Sequence, residues 1–259
     1  MTASDPPHRA DAGPADRLTR DRLTRDVWLW QRAKGHRFSS DDLVTALVAH
    51  QAAPTPTRIL DLGCGIGSVL LHLAWACPAA TLVGVEAQAV SFALLRRNVD
   101  DNQLAHRVTI HHGDLRAPEV VAALGTGFPL VTGTPPYFPP GTALDAADPQ
   151  RAYARVEHRG GVEAYLATAG QVVAADGVVV VCGDARAEAR VVAGAAAAGL
   201  QVHARTDVIP RAGEPALFAV WSARLAPRAG AIVATSMTLR DAAGQPTADA
   251  ARLRAFAGL

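Results

Sequence analysis

The stretch Arg58-Ile59-Leu60-Asp61-Leu62-Gly63-Cys64-Gly65-Ile66-Gly67-Ser68 decides the fold. Its first half is a short apolar run, as a strand buried on both faces requires. Its second half places glycine at alternate positions, where the chain can turn sharply and a ligand can approach the amides. Val69, Leu70, Leu73 and Ala74 follow with helical spacing. Strand, turn and helix in this order open a βαβ unit. The same alternation continues outward. Strands are expected at 58–62, 81–85, 107–111, 130–132, 177–182, 201–208 and 217–222, and helices at 87–99, 120–124 and 162–174, with another ending near Ala198. Helices of this length between strands mean crossovers. The chain is therefore expected to be α/β, with a doubly wound, mostly parallel, seven-stranded sheet.

The 259 residues are enough for one such domain with extensions. Four parts are expected: a disordered tail at 1–25, a cap of short strands and a helix at 26–57, the core at 58–225, and a C-terminal extension at 226–259 that completes or flanks the sheet. Inside the tail Arg17-Leu18-Thr19-Arg20-Asp21 is repeated at once as Arg22-Leu23-Thr24-Arg25-Asp26, too few copies for a repeat fold. Lys and Arg number 25 against 24 Asp and Glu, a net charge of +1. That balance excludes a protein held to nucleic acid mainly by bulk charge, but allows a local arginine patch. The three cysteines, Cys64, Cys77 and Cys182, make neither a disulfide framework nor a metal-ligand pattern. No secretory signal and no run long enough to span a membrane is visible, so a cytoplasmic protein is expected. No heptad or apolar stripe indicates an oligomeric state.

The chemistry gathers at the carboxyl ends of the strands, where a doubly wound sheet carries its site. Those ends hold Asp61, Glu86, Asp114 and Thr134. Glu86 stands 25 residues after Asp61, at the end of the next strand, where a carboxylate can take both hydroxyls of a ribose. A pyrophosphate at the glycine turn would be repelled by Asp61, whereas a positively charged nucleoside cofactor would be welcomed. Asp61-Leu62-Gly63-Cys64-Gly65-Ile66-Gly67 resembles the first motif of the class I S-adenosylmethionine-dependent methyltransferases, whose fold is Rossmann-like. The resemblance implies S-adenosyl-L-methionine as cofactor. It implies Asp61 near the methionine end, a turn at Gly63 and Gly65, Glu86 on the ribose, and Asp114 with the amide of Leu115 near the adenine amino group. No metal is expected.

After the fourth of these strands comes Thr134-Pro135-Pro136-Tyr137-Phe138. Two prolines forbid helix and fix the carbonyl directions around them. A side-chain oxygen and a fixed carbonyl can hold the two protons of an exocyclic amine, while a ring keeps its base flat. The segment resembles the Asn-Pro-Pro-Tyr motif of methyltransferases acting on amino groups of adenine or glutamine, with Thr134 in place of Asn. Gln31-Arg32-Ala33-Lys34-Gly35-His36-Arg37-Phe38-Ser39-Ser40-Asp41-Asp42, Ala154-Arg155-Val156-Glu157-His158-Arg159 and Ile209-Pro210-Arg211-Ala212-Gly213-Glu214-Pro215-Ala216 extend the likeness to the bacterial tRNA(Val) adenine-37 N6-methyltransferase family.

This wider resemblance implies catalytic roles for Thr134, Pro135 and Tyr137, with Phe38 and Asp41 closing the site. Tyr137, Phe138, Arg155, His158 and Arg159 would meet the acceptor, the basic ones as phosphate contacts. Arg32, Lys34, Arg37, Arg17, Arg20, Arg22 and Arg25 could extend that patch. A tRNA is the expected acceptor, with a small molecule or a protein amide as the alternative. A third alternative is a binding protein that keeps the cofactor fold without catalysis. Residues 141–161, poor in large apolar side chains, are expected as a loop over the site. His111 and His112 point to opposite faces of a strand and are read as structural. Cys64 and Cys182 lack a base partner, and Trp28 and Trp30 are expected to pack in the core.

Overall fold

The computed structural model describes residues 17–142, 146–225 and 230–259. The expected residues 1–16 of the tail lie outside this range. In chain order the elements are β1 (Leu18–Arg22), β2 (Trp28–Arg32), α1 (Ser40–Ala52), β3 (Arg58–Leu62), α2 (Ser68–Ala76), β4 (Thr81–Glu86), α3 (Ala89–Asp101), β5 (Val108–His112), α4 (Pro118–Leu124), β6 (Phe128–Gly133), α5 (Pro149–Arg155), α6 (Val162–Val172), β7 (Val173–Asp184), α7 (Glu188–Ala197), β8 (Leu200–Ile209), β9 (Phe218–Leu225), β10 (Val233–Thr238) and α8 (Ala248–Phe256).

Eight strands form the main sheet in the order β10-β8-β9-β7-β6-β3-β4-β5. The pairs from β7 through β6, β3 and β4 to β5 are parallel, while β9 runs antiparallel to both β7 and β8. The chain winds outward from β3 to β4 and β5, then returns to place β6 on the other side of β3. That reversal opens a crevice at the carboxyl ends of β3 and β6, the place where such sheets take ligands. Alternate side chains of the inner strands serve two cores. Ile59, Leu130, Val178 and Val180 belong to the one that includes α1 and α2 residues, and Leu60, Leu62, Val131, Val179 and Val181 to the one built with α6 and α7.

The α/β doubly wound sheet is present, with one strand more than the seven expected. The extra strand, β10, pairs parallel to β8 and comes from the C-terminal extension. Two further expectations need correction. Residues 18–22, assigned to the disordered tail, form β1, paired antiparallel with β2 from Leu18↔Arg32 to Arg22↔Trp28. The segment 141–161, expected as a loop, contains α5, started by Asp148, whose side chain accepts from the Arg151 amide. Both elements are held by contacts far away in sequence, which local composition does not reveal.

The hairpin β1–β2 is seated on α3 by two asparagines one helical turn apart. Asn98 Oδ1 accepts from the Trp30 amide at 2.7 Å, and Asn98 Nδ2 donates to Trp30 O at 3.1 Å. Asn102 repeats the exchange with Trp28 at 2.9 and 2.7 Å. The side-chain amides thus complete the free edge of β2 as a neighbouring strand would. Asn98 Nδ2 also donates to Ile66 O at 2.9 Å, inside the glycine turn. This outward use of β2 corrects the reading of Trp28 as a core residue, whereas Trp30 is half-buried and packs against the core that includes α1 and α2 residues. Trp28 is 39% exposed, and the Trp30 indole donates to Asp101 at 2.6 Å.

Asn98 is fully buried and joins three backbone groups. Replacing it by alanine strands them without water, at about 1–3 kcal/mol for an orphaned group. Asn98→Ala is expected to lower stability to urea by roughly 2–4 kcal/mol, and Asn102→Ala, at a less buried position, by less.

Candidate functional site

The site begins with a buried charge. Asp61 lies in β3 between Gly84 of β4 and Thr132 of β6, and only 1% of its surface is exposed. Its Oδ1 accepts from Thr132 Oγ1 at 2.8 Å. Its Oδ2 is buried and has no hydrogen-bond partner. Burial pushes the carboxyl up to about 7, with the charge of Glu86 adding to the effect. A buried carboxylate with one oxygen unmet is costly unless a donor or a cation arrives.

The glycine turn sits above it. Gly63 and Gly65 have φ of +60° and +57°, a conformation that disfavours side chains. At Gly63 a Cβ would also fall 2.1 Å from the hydroxyl of Tyr165 on α6. At Gly65 a Cβ would meet nothing within 4 Å, so the backbone there borders open space. Glu86, at the end of β4, accepts from the Gly65 amide at 2.9 Å and the Gln88 amide at 2.6 Å. Burial raises its pKa, and those amides oppose the rise. Asp114, following β5, is held by Arg116 through two hydrogen bonds of 2.9 and 2.7 Å. These bonds keep its carboxyl below the usual range.

A cavity joins these parts. Of the residues picked out from sequence, Phe38, Gly63, Gly65, Glu86, Asp114, Leu115, Thr134 and Arg159 line it. Asp61 and Pro135 are buried and do not. Tyr137, expected to offer its ring to a planar acceptor, is not part of the lining either. Its hydroxyl donates to Asp41 Oδ2 at 3.0 Å and lies 3.2 Å from Cys182 Sγ. Asp41, expected in the site, is therefore occupied with Tyr137 and Ser39. Phe138 pairs with the segment after α5: its amide donates to Arg155 O at 3.1 Å, and its carbonyl accepts from the Glu157 amide at 2.9 Å. Arg155 stacks over the Phe138 ring, and His158 packs edge-on against Tyr153; neither lines the cavity.

Residues the sequence reading passed over also line the cavity, among them His36, Asp42, Ser68, Ser91, Tyr153 and Tyr165. Asp42 is the most telling. It caps its own helix by accepting from the Ser39 amide at 3.1 Å, and burial beside Asp41 pushes it up to about 8. In the sequence it stands only as the last member of the Gln31–Asp42 stretch, with no role in the site. Tyr153 comes from α5, whose Gln150 ties it down: Oε1 accepts from Arg32 and from the His36 amide, both at 3.2 Å, and Nε2 donates to Ser91 Oγ at 3.0 Å.

The arrangement can receive a ligand bearing a positive charge near β3 and hydroxyl groups near Glu86. The unmet Oδ2 of Asp61 and the open face of Gly65 fit S-adenosylmethionine, which has an ammonium, a sulfonium and no phosphate. Asp61, Glu86 and the Gly63–Gly65 backbone are the groups that would hold it.

Comparisons with known proteins bear on the fold. Residues 36–138 match the family described as Methyltransferase small domain. The tRNA1(Val) (adenine(37)-N6)-methyltransferase of Porphyromonas gingivalis is 29% identical over 127 residues, 49% of this chain and 49% of the relative. The chain thus matches about half the length of that relative. The ribosomal protein uL3 glutamine methyltransferase of Bradyrhizobium diazoefficiens is 33% identical over 128 residues, 49% of this chain and 38% of the relative. Among solved structures, one described as a predicted O-methyltransferase from Agrobacterium tumefaciens superposes with a TM-score of 0.62 at 20% identity, covering 84% of this chain and 96% of that one. The chain has the class I Rossmann-like fold of S-adenosylmethionine-dependent methyltransferases and is related to several bacterial methyltransferase families.

The raised carboxyls, Asp61 and Asp42 with Glu86 shifted in the same direction, set a pH dependence. An unfolded Asp ionises near 3.8, whereas Asp61 and Asp42 keep their protons in the folded protein up to about 7 and 8. The folded state binds more protons in between, so stability is lost as pH rises through those values. His36 and His72, whose pKa values are lowered by burial, act in the opposite sense only below about pH 6.5. The urea midpoint is therefore expected to fall between about pH 6.5 and 8.5, and Asp61→Asn should flatten the fall.

Proposed function

We propose that the chain transfers the methyl group of S-adenosylmethionine to an amino nitrogen attached to a planar group, with adenine N6 of a tRNA as the acceptor. The observation that carries this reading is one shared cavity. Glu86 and Asp114 from the ends of β4 and β5 line it together with Thr134 and Pro136, which follow β6. The tRNA and glutamine enzymes to which the chain is similar are both named for planar nitrogen acceptors, adenine N6 and a glutamine.

Bound S-adenosylmethionine supplies a methyl group on a positively charged sulfur. The protein's work is orientation of the nitrogen in line with that carbon. An acceptor nitrogen so placed would take the methyl group with its lone pair, leaving the sulfur neutral as S-adenosylhomocysteine, and would give up one proton to water. Thr134 Oγ1 can accept from one N–H and hold the lone pair toward the methyl group. Pro135, buried beneath, and Pro136, at the cavity wall, fix the backbone around it. With the Tyr137 hydroxyl turned inward, Phe38 and Tyr153, among the rings that border the cavity with His36 and Tyr165, can flank a base.

The hairpin offers a second support for RNA. Arg20 lies 5.4 Å from the Trp28 ring and 5.9 Å from Trp30, Arg22 lies 5.9 Å from Trp28, and Arg97 lies 3.8 Å from Trp30. Exposed guanidinium groups interleaved with indoles suit phosphates and unstacked bases. The smaller acceptor is favoured by a different observation. Tyr153, Ala154, Arg159 and Gly160 wall the cavity from the side of α5, as a segment covering a small acceptor would.

Labelled S-adenosylmethionine offered with unmodified tRNA, a protein extract and a metabolite extract separates these readings. Label is expected in tRNA as N6-methyladenosine, and Asp61→Ala is expected to reduce it by at least about a hundredfold, the scale of a lost charge-assisted contact. Label confined to protein or metabolites overturns the tRNA acceptor. Loss of transfer in Thr134→Ala with recovery in Thr134→Asn is the result expected if this side chain holds the amine.

A further inference from the structure

Arg159, expected from sequence as a phosphate contact, stands instead in the wall of the cavity. It follows α5 in a turn closed by a hydrogen bond from the Gly160 amide to Glu157 O at 3.1 Å. Glu157 is clamped by Arg190 through contacts of 2.9 and 3.0 Å, and Arg190 also holds Glu163 at 2.8 Å. The backbone that carries Arg159 is therefore anchored to α6 and α7.

The side chain lies with its guanidinium 4.4 Å from the centre of the Tyr153 ring, in the wall of the cavity. Its Nη1 is buried and has no hydrogen-bond partner. Neighbouring arginines are satisfied: Arg116 by Asp114, Arg190 by Glu157 and Glu163, and Arg32 by Asp148. Arg159 is close enough to Glu86 and Asp114 to favour their ionised forms. A planar donor held this way, short of an acceptor and facing a cavity, is set for a ligand atom.

We infer that Arg159 binds the nucleoside half of the cofactor, donating to an oxygen of the ribose or a ring nitrogen of the adenine. The inference rests on the S-adenosylmethionine reading above. Geometry selects the half. Glu86 and Asp114 stand at the ends of β4 and β5, on the side of β3 away from Thr134. The amino-acid half carries a carboxylate that a guanidinium would also fit, but Asp61 draws its ammonium toward β3, whereas the adenosine, on the side of Glu86 and Asp114, offers neutral acceptors. Glu86 would then take the ribose as acceptor and Arg159 as donor. This reassigns Arg159 from the RNA phosphates to the cofactor.

The test is calorimetric titration of the full-length protein with S-adenosylhomocysteine and with methylthioadenosine, which lacks the amino-acid half. Arg159→Ala is expected to weaken both by a similar factor, about ten- to a hundredfold for the loss of a charged hydrogen bond. Arg159→Lys is expected to recover only part, because an ammonium lacks the planar fork. Arg159→Ala gives up the ring contact with Tyr153 but no internal hydrogen bond, so Arg159→Lys, which keeps the charge, should leave the thermal midpoint without ligand unchanged while still weakening both ligands; this separates ligand contact from a structural role. Weakening confined to S-adenosylhomocysteine would move the contact to the amino-acid half and overturn the inference. Unchanged affinity for both, with a raised KM for the acceptor alone, would return Arg159 to the acceptor side. If the unsubstituted protein binds neither ligand, the cofactor reading itself fails and takes this one with it.

Discussion

The burial of Asp61 is the constraint from which the rest of the site follows. A carboxylate in the middle of a parallel sheet loses its water and recovers one strong hydrogen bond, from Thr132. The second oxygen is left for something the folded chain does not provide. This unmet demand lies where the strand order reverses, under a turn whose glycines leave backbone rather than side chains around the opening. Asp42, in the cavity wall, adds a second carboxyl of raised pKa to the one buried beneath at Asp61. Two acids that prefer to stay neutral when alone, and to ionise beside a cation, make the site selective by charge before any shape is considered.

The other side of the site is built from pieces that the sheet alone would not hold. The hairpin has no sheet neighbour on the outer edge of β2, and Asn98 and Asn102 supply the missing ladder from α3. Asn98 passes the connection on to the glycine turn through Ile66. Gln150 does similar work for α5, joining it to Arg32, His36 and Ser91. Buried side-chain amides are suited to this role because each offers both donors and acceptors to backbone groups that have lost water. The cap and the covering segment are thereby fixed to the same helix that borders the cavity.

Tyr137 shows how tertiary packing can reassign a residue within a motif. Two prolines before it restrict the backbone, and the chain then re-enters a bridge between Phe138 and Val156. That path turns the hydroxyl toward Asp41 and Cys182, where burial pushes its pKa upward. Aromatic surface at the cavity comes instead from residues scattered along the chain, among them Phe38, Tyr153 and Tyr165.

The order of strands and helices, the strand-end acids Asp61, Glu86 and Asp114, and the glycine turn were all legible in the sequence. Each is a local pattern: apolar runs sized for strands, a helical period after glycine, an acid where the run stops. Which acid of the pair Asp41 and Asp42 faces the cavity was not legible, because neighbouring residues at a helix start differ by a rotation that only packing fixes. The same holds for β1, which is polar and repetitive and becomes a strand because β2 and Asp21's contacts with Gln31 and Arg37 hold it there. Arg159 looked like one basic residue in a basic loop. Its place beside Glu86 and Asp114 depends on where α5 is pinned, and that is set by hydrogen bonds spanning more than fifty residues. The sequence by itself determined the architecture and the chemistry available at its strand ends. The tertiary structure decided which of those groups meet in one cavity, because long-range contacts choose the direction of a side chain and local patterns do not.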